Sequence, residues 1–199
     1  MDSVVELPCP ICLAEGKLMM RAHSAEIPYF GEHTQVTLLC DECGWRQTDF
    51  IPADGAKPGG WSICIGDISV LSARIVRSSS CTVCIPELDL EVNPGTSNAG
   101  YVTNVEGLLV RFAEVVELVS RDLLEDGGDD AVDRCQELSD RISALKNGDF
   151  SEEIHVVLLD PRGHSQILHE NAVPRELTGE ELARLPVGAD PAIFSPDEI

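Results

Sequence analysis

The sequence predicts a mainly β protein of the α+β class, with a small cysteine-tied N-terminal lobe and a larger β domain interrupted by two helices. Three observations predict it. Two Cys-x-x-Cys pairs, Cys9/Cys12 and Cys40/Cys43, bracket the first part of the chain. Alternating and β-branched runs fill residues 61–92 and return at 154–169. Between those runs the apolar residues switch to helical spacing. The boundary falls in the turn-rich stretch 52–60. The expected division is 1–52 and 53–199, with the helical hairpin at about 103–147.

In the first lobe, residues 17–21 and 35–39 read as strands, because Val36, Leu38 and Cys40 alternate with Thr37 and Leu39. A Cys-x-x-Cys turn sets two thiolates on one side of a tight loop. Two such turns close a tetrahedron around zinc at about 2.3 Å per bond. Cys9, Cys12, Cys40 and Cys43 are therefore the expected ligands of one structural zinc. Gly44 follows the second pair and suits the left-handed backbone such a knuckle needs; the first pair has Leu13 there. So small a lobe buries little apolar surface, and metal binding offsets that deficit. Four thiolates leave no open coordination position, which argues against catalysis by this ion. Redox pairs are the competing reading, but a redox Cys-x-x-Cys is expected singly, near a βαβ pattern.

The β domain begins with Ile63, Ile65 and Ile68, continues through 72–77, and runs through Val83, Ile85, Leu88, Leu90 and Val92. Val105, Leu108, Leu109, Phe112, Val115, Val116, Val119 and Leu123 then form one helical stripe, with Thr103 and Glu106 at capping-box spacing. A second helix turns Val132, Cys135, Leu138, Ile142 and Leu145 inward, starts at Asp129 or Asp130 and ends at Asn147-Gly148. A strand at 154–159 leads into the type I turn Asp160-Pro161-Arg162-Gly163, with 166–169 as the returning strand. Thr178 and Glu181 cap a last helix over 180–184.

The other cysteines read as packing residues. Cys81 and Cys84 lie three apart on a strand and face opposite sides. Cys135 sits on the apolar stripe of its helix, and Cys64 among isoleucines. A second zinc drawn from these four is disfavoured because metal ligands come in closely spaced pairs. His23, His33, His155, His164 and His169 form no His-x-His pair and read as surface or turn residues. Ser78-Ser79-Ser80 has no base nearby in sequence and reads as a solvated turn or strand. No nucleotide-binding or hydrolase motif occurs, and no carboxylate–histidine constellation is visible.

The net charge of -21, from 14 basic against 35 acidic residues, opposes binding to nucleic acid phosphates. Lysine occurs only at 17, 57 and 146. Acid-rich and lysine-poor together predict a high-salt, halophilic setting, where a Debye length of about 3 Å at 1 M screens self-repulsion. The N-terminal Met-Asp-Ser-Val-Val-Glu lacks the features of a signal peptide, and no apolar run is long enough for a membrane span. The expectation is a cytoplasmic protein.

These residues resemble a known family. Cys-Pro-Ile-Cys at 9–12, Ile-Pro-Tyr-Phe-Gly-Glu at 27–32 and Cys-Asp-Glu-Cys-Gly-Trp-Arg at 40–46 come first. Arg-Ile-Val-Arg-Ser-Ser-Ser at 74–80, Ile-Pro-Glu-Leu at 85–88 and Thr-Asn-Val-Glu-Gly-Leu-Leu at 103–109 follow. Leu-Leu-Asp-Pro-Arg-Gly-His-Ser at 158–165 and Arg-Glu-Leu-Thr-Gly-Glu-Glu-Leu at 175–182 complete the order. Together they are similar to a single-module, archaeal-type member of the ZPR zinc-finger family. Trp45 stands where that family usually has tyrosine, and Cys81 and Cys84 stand where it normally has no cysteine. The resemblance implies a zinc ribbon followed by a double-stranded β-helix (jelly-roll-like) domain, with the helical hairpin inserted. It also implies a protein-binding module or chaperone for translation elongation factor 1-alpha, and no enzyme. Candidate partner contacts are Tyr29, Phe30 and Trp45; packing over the ribbon is the alternative for each. A nucleic-acid-associated ribbon protein is the alternative function, against which the charge stands.

Overall fold

A computed structural model of the chain describes residues 2–27, 31–52, 57–95, 99–126 and 129–186. Four antiparallel strands come first: β1 (Asp2–Val5), β2 (Leu18–Ile27), β3 (Gly31–Cys40) and β4 (Arg46–Pro52), neighbours in chain order. β2 and β3 pair from Leu18↔Cys40 to Ile27↔Gly31, well beyond the segments that alternation predicts. The backbone ladder continues through a polar stretch, where cross-strand pairs such as Ser24 and Thr34, joined at 2.9 Å, replace apolar contacts. This sheet has a meagre core: Val5, Cys9, Leu18 and Cys40, flanked by Met20, Leu38 and Trp45.

The larger part contains β5 (Gly59–Cys64), β6 (Arg74–Arg77), β7 (Thr82–Ile85), β8 (Leu90–Val92) and β9 (Tyr101–Asn104) before the long helices. After the helices come β10 (His155–Asp160), β11 (Gln166–Leu168) and β12 (Val173–Arg175). They form a sheet in the order β12-β5-β10-β7-β8 and another in the order β11-β6-β9, every pairing antiparallel. Alternate residues of one sheet, Val83 and Ile85, Val156 and Leu158, together with Ile63 of β5 and Ile65 just after it, share a core with Ile75 and Ile167 of the other. This two-sheet arrangement is the jelly roll that the resemblance implies. One expected pairing is absent. β11 does not return along β10 but crosses to pair with β6, while β10 inserts between β5 and β7. The turn after Asp160 changes sheets, a choice made by core burial that alternation does not encode.

α1 (Val105–Asp126) and α2 (Asp129–Lys146) form the hairpin between β9 and β10. The start of α1 is capped by Asn104, whose Oδ1 accepts from the Gly107 N–H at 2.8 Å, and not by Thr103. α2 begins at Asp129 itself, so Asp130 lies in the first turn and is no cap. Its end is a Schellman motif: Gly148 (φ 90°) donates to Leu145 O and Asp149 to Ala144 O. Val105, Leu108, Leu109, Phe112 and Val116 are buried with Ile142 and Leu145 of α2. Val115 and Val119, expected inward, are instead 50% and 44% exposed, and Leu118 and Leu124 beside them are exposed too. A helix of this length outruns the core that covers it. The last helix, α3 (Gly179–Arg184), has the full Thr178–Glu181 capping box.

The two parts are tied together by buried polar bonds. Asp49 of β4 accepts from the Ser79 N–H at 2.9 Å and from its Oγ at 2.6 Å, and the Gly100 N–H donates to Thr48 O at 2.6 Å. No described helix is long and apolar enough to cross a membrane.

Candidate metal centre

The two cysteine knuckles repeat one backbone pattern. In the first, the Leu13 N–H donates to Cys9 O and the Cys9 N–H to Ala14 O; in the second, Gly44 donates to Cys40 O and Cys40 to Trp45 O. The fifth residue of each knuckle is left-handed, at φ 73° for Gly44 and φ 59° for Leu13. Leucine thus takes the conformation that glycine takes in the other knuckle, at a cost of about 1–2 kcal/mol. The antiparallel β1–β4 meander brings both knuckles to one end of the sheet.

There the structure brings Cys9, Cys12, Cys40 and Cys43 together, with all four sulfurs within 4.8 Å of one another. Cys9 and Cys43 are 3.7 Å apart, as are Cys12 and Cys40. A tetrahedron with bonds of about 2.3 Å has edges of about 3.8 Å, so this donor set fits one zinc ion. All four cysteines are unbridged. Crowding splits their acidities. Burial opposes ionisation of Cys9, but the N–H groups of Cys12 and Ile11 and the nearby thiols bring it down to about 6. At Cys12 the Ala14 N–H favours the thiolate, yet burial and the Cys43, Cys9 and Cys40 sulfurs push it up to about 12. The Cys9 thiolate forms readily, whereas Cys12 needs a nearby cation to ionise, a charge that zinc would supply.

Of the candidate partner contacts, Tyr29 and Phe30 lie outside the described residues. Trp45 is half-buried against Val5, Cys9, Leu18 and Cys40, so its ring covers the metal lobe. Beside the knuckles, Ile11 and Leu13 are 55% and 72% exposed.

Several expectations for the remaining residues change. Ser78, Ser79 and Ser80 are buried, not solvated. Ser78 and Ser80 donate to Asp160 at 2.7 Å, Ser165 donates to it at 2.6 Å, and Ser79 bonds Asp49. His33 is buried rather than on the surface. Its Nδ1 lies 3.1 Å from Gly31 O. Cys81 faces the core, where burial and the Asp160 charge push its thiol up to about 12. Cys84 faces away from that core and Cys135 is buried on α2. Cys64 is not a core residue: it is half-buried beside Glu153 and His155, a carboxylate–histidine grouping invisible in the sequence. Burial, then Glu153 and Glu87, raises the Cys64 thiol. The serine–aspartate network had one legible trace, the Arg-Ser-Ser-Ser and Asp-Pro-Arg-Gly-His-Ser segments, which meet in the fold.

Residues 69–186 match the family described as the ZPR1 jelly-roll domain. An uncharacterized ZPR1-like protein of Methanocaldococcus jannaschii is 35% identical over 188 residues, covering 94% of this chain and 92% of that protein. A similar ZPR1-like protein of Pyrococcus horikoshii is 36% identical, covering 96% and 84%. The zinc finger chaperone zpr1 of Schizosaccharomyces pombe is 28% identical over 80% of this chain, which spans 34% of that longer protein.

Proposed function

The chain belongs to the ZPR1 family, and from that premise we propose that it is a cytoplasmic zinc-stabilised protein-interaction module that binds translation elongation factor 1-alpha or assists its folding. One observation carries the reading. The four-thiol site is closed, so its ion shapes a surface rather than performing chemistry, and that surface exposes Ile11 and Leu13 at the first knuckle. Apolar side chains held rigidly at a surface are what a protein partner buries. The exposed Val115, Leu118 and Val119 on α1 offer a second such area. The fission yeast relative's name, a zinc finger chaperone, points the same way. The net charge of -21 opposes a nucleic acid partner. We regard the chain as a binding protein and not an enzyme.

The test is binding of purified archaeal elongation factor 1-alpha to the zinc-loaded protein in molar salt. Ile11→Asp with Leu13→Asp is expected to weaken binding at least tenfold while zinc content stays unchanged. Absence of binding by the unaltered protein, or binding indifferent to zinc removal and to both substitutions, overturns the reading.

A further inference from the structure

A second set of metal-ligating side chains lies on the other sheet system. Cys64 ends β5 and His155 opens β10, and the two are direct cross-strand partners. Glu153 sits just ahead of β10. Cys64 Sγ, a ring nitrogen of His155 and a carboxylate oxygen of Glu153 all lie within 4.8 Å of one another. The opposite edge of the imidazole is already held. Its Nδ1 is 2.8 Å from Glu87 Oε1, and the His155 N–H donates to Glu87 Oε2 at 3.0 Å. That fixes the ring with Nε2 turned toward Glu153 Oε1, at 3.8 Å. Orienting a histidine by a carboxylate on its far nitrogen is the arrangement found behind metal-bound imidazoles.

We propose that Cys64, His155 and Glu153 form a second zinc site, with Glu87 as the positioning residue. The chemistry supports a borderline-soft divalent ion. A thiolate, an imidazole and one carboxylate suit zinc better than magnesium or calcium, which prefer oxygen alone. The charge balances, since one thiolate and one carboxylate neutralise the dication, and Cys64 releases its proton to solvent on binding. Ligands around zinc stand roughly 3.3–3.8 Å apart. Closing the present grouping to that spacing asks for a shift of about 1 Å, which the 81% exposed Glu153 side chain makes without disturbing the core. The fourth position is open to water. This ion would pin the end of the β5–β10 ladder to the segment that leaves α2. None of the three ligands belongs to the four-cysteine centre, so the two sites load independently. Neither Cys81 nor Cys84 joins it: Cys81 is enclosed in the core, and Cys84 lies against Glu91.

Zinc content is the test, measured on the whole protein after equilibration with micromolar free Zn2+ and again after exchange into metal-free buffer. Two ions per chain are expected in the first condition and one in the second. Cys64→Ser and Glu153→Gln are expected to hold one ion in both conditions, and that retained ion shows that the ribbon is intact. Glu87→Gln is expected to weaken the second ion by about 10–100-fold without affecting the first. Co2+ substitution gives an independent readout, because a one-thiolate site absorbs differently from a four-thiolate site. A single ion in the unaltered protein at micromolar zinc overturns the proposal. So does a second ion that survives both Cys64→Ser and Glu153→Gln, since it then sits elsewhere.

Discussion

At the scale of single residues, Asp160 shows how a buried charge is kept. Burial alone pushes its carboxyl toward protonation, but Ser165, Ser80, Ser78 and the Arg162 N–H together hold it below the ordinary carboxylate range. The sign follows directly. A carboxyl with a lowered folded pKa adds stability at pH values above its unfolded value, near 3.9, and loses it as pH falls through the folded value. Asp160→Asn is therefore expected to destabilise the protein by about 2–3 kcal/mol at neutral pH. In denaturant titrations the gap between the two proteins closes as pH falls below about 4; a gap that is constant with pH refutes this account. Gly163, the fourth residue of the turn that Asp160 opens, is equally constrained: at φ 70° an added Cβ meets Lys57 O at 1.8 Å. Residue types were legible at these positions. Their burial was not, because three serines in a row read as solvated until the partners that satisfy them, 30 to 82 positions away, are in place.

At the scale of elements, the first sheet and the jelly roll depend on different forces. The β1–β4 sheet has only a handful of buried side chains, so its persistence rests on the metal, worth an apparent 10–16 kcal/mol or so in zinc-dependent peptides. The jelly roll has a continuous two-sheet core that includes α1 and α2. Removal of zinc by a chelator is expected to erase amide-exchange protection across 2–52 and to leave it at β5, β7 and β10. Acidification acts the same way, as protons compete for the thiolates. Retained protection in the metal-free first sheet contradicts this division of labour. The element limits show what local pattern reports. The C-terminal end of α2 and the α3 capping box follow their signals closely, since these caps are set by neighbours in sequence. The upper turns of α1 did not, because whether a stripe residue such as Val115 is covered depends on how far the opposing core extends.

At the scale of the whole molecule, charge dominates. A net -21 on 199 residues repels itself in dilute solution, and salt relieves that repulsion. The melting temperature is expected to rise from about 0.1 M to about 2 M KCl, as screening shortens from roughly 10 Å to below 3 Å. A fall over that range counts against adaptation to salt. The sequence by itself determined the class of fold, the position of the helical pair and the four candidate zinc thiolates, because each is written in periodicity or in ligands spaced within a single turn, and its motifs in order carried the resemblance to the family. Only the tertiary structure decided that β11 crosses to β6, that Asp49 and Asp160 gather the serines, and that Cys64 faces His155 and Glu153. These contacts join residues far apart in the chain, and no local rule of spacing reaches across a strand order set by the burial of a shared core.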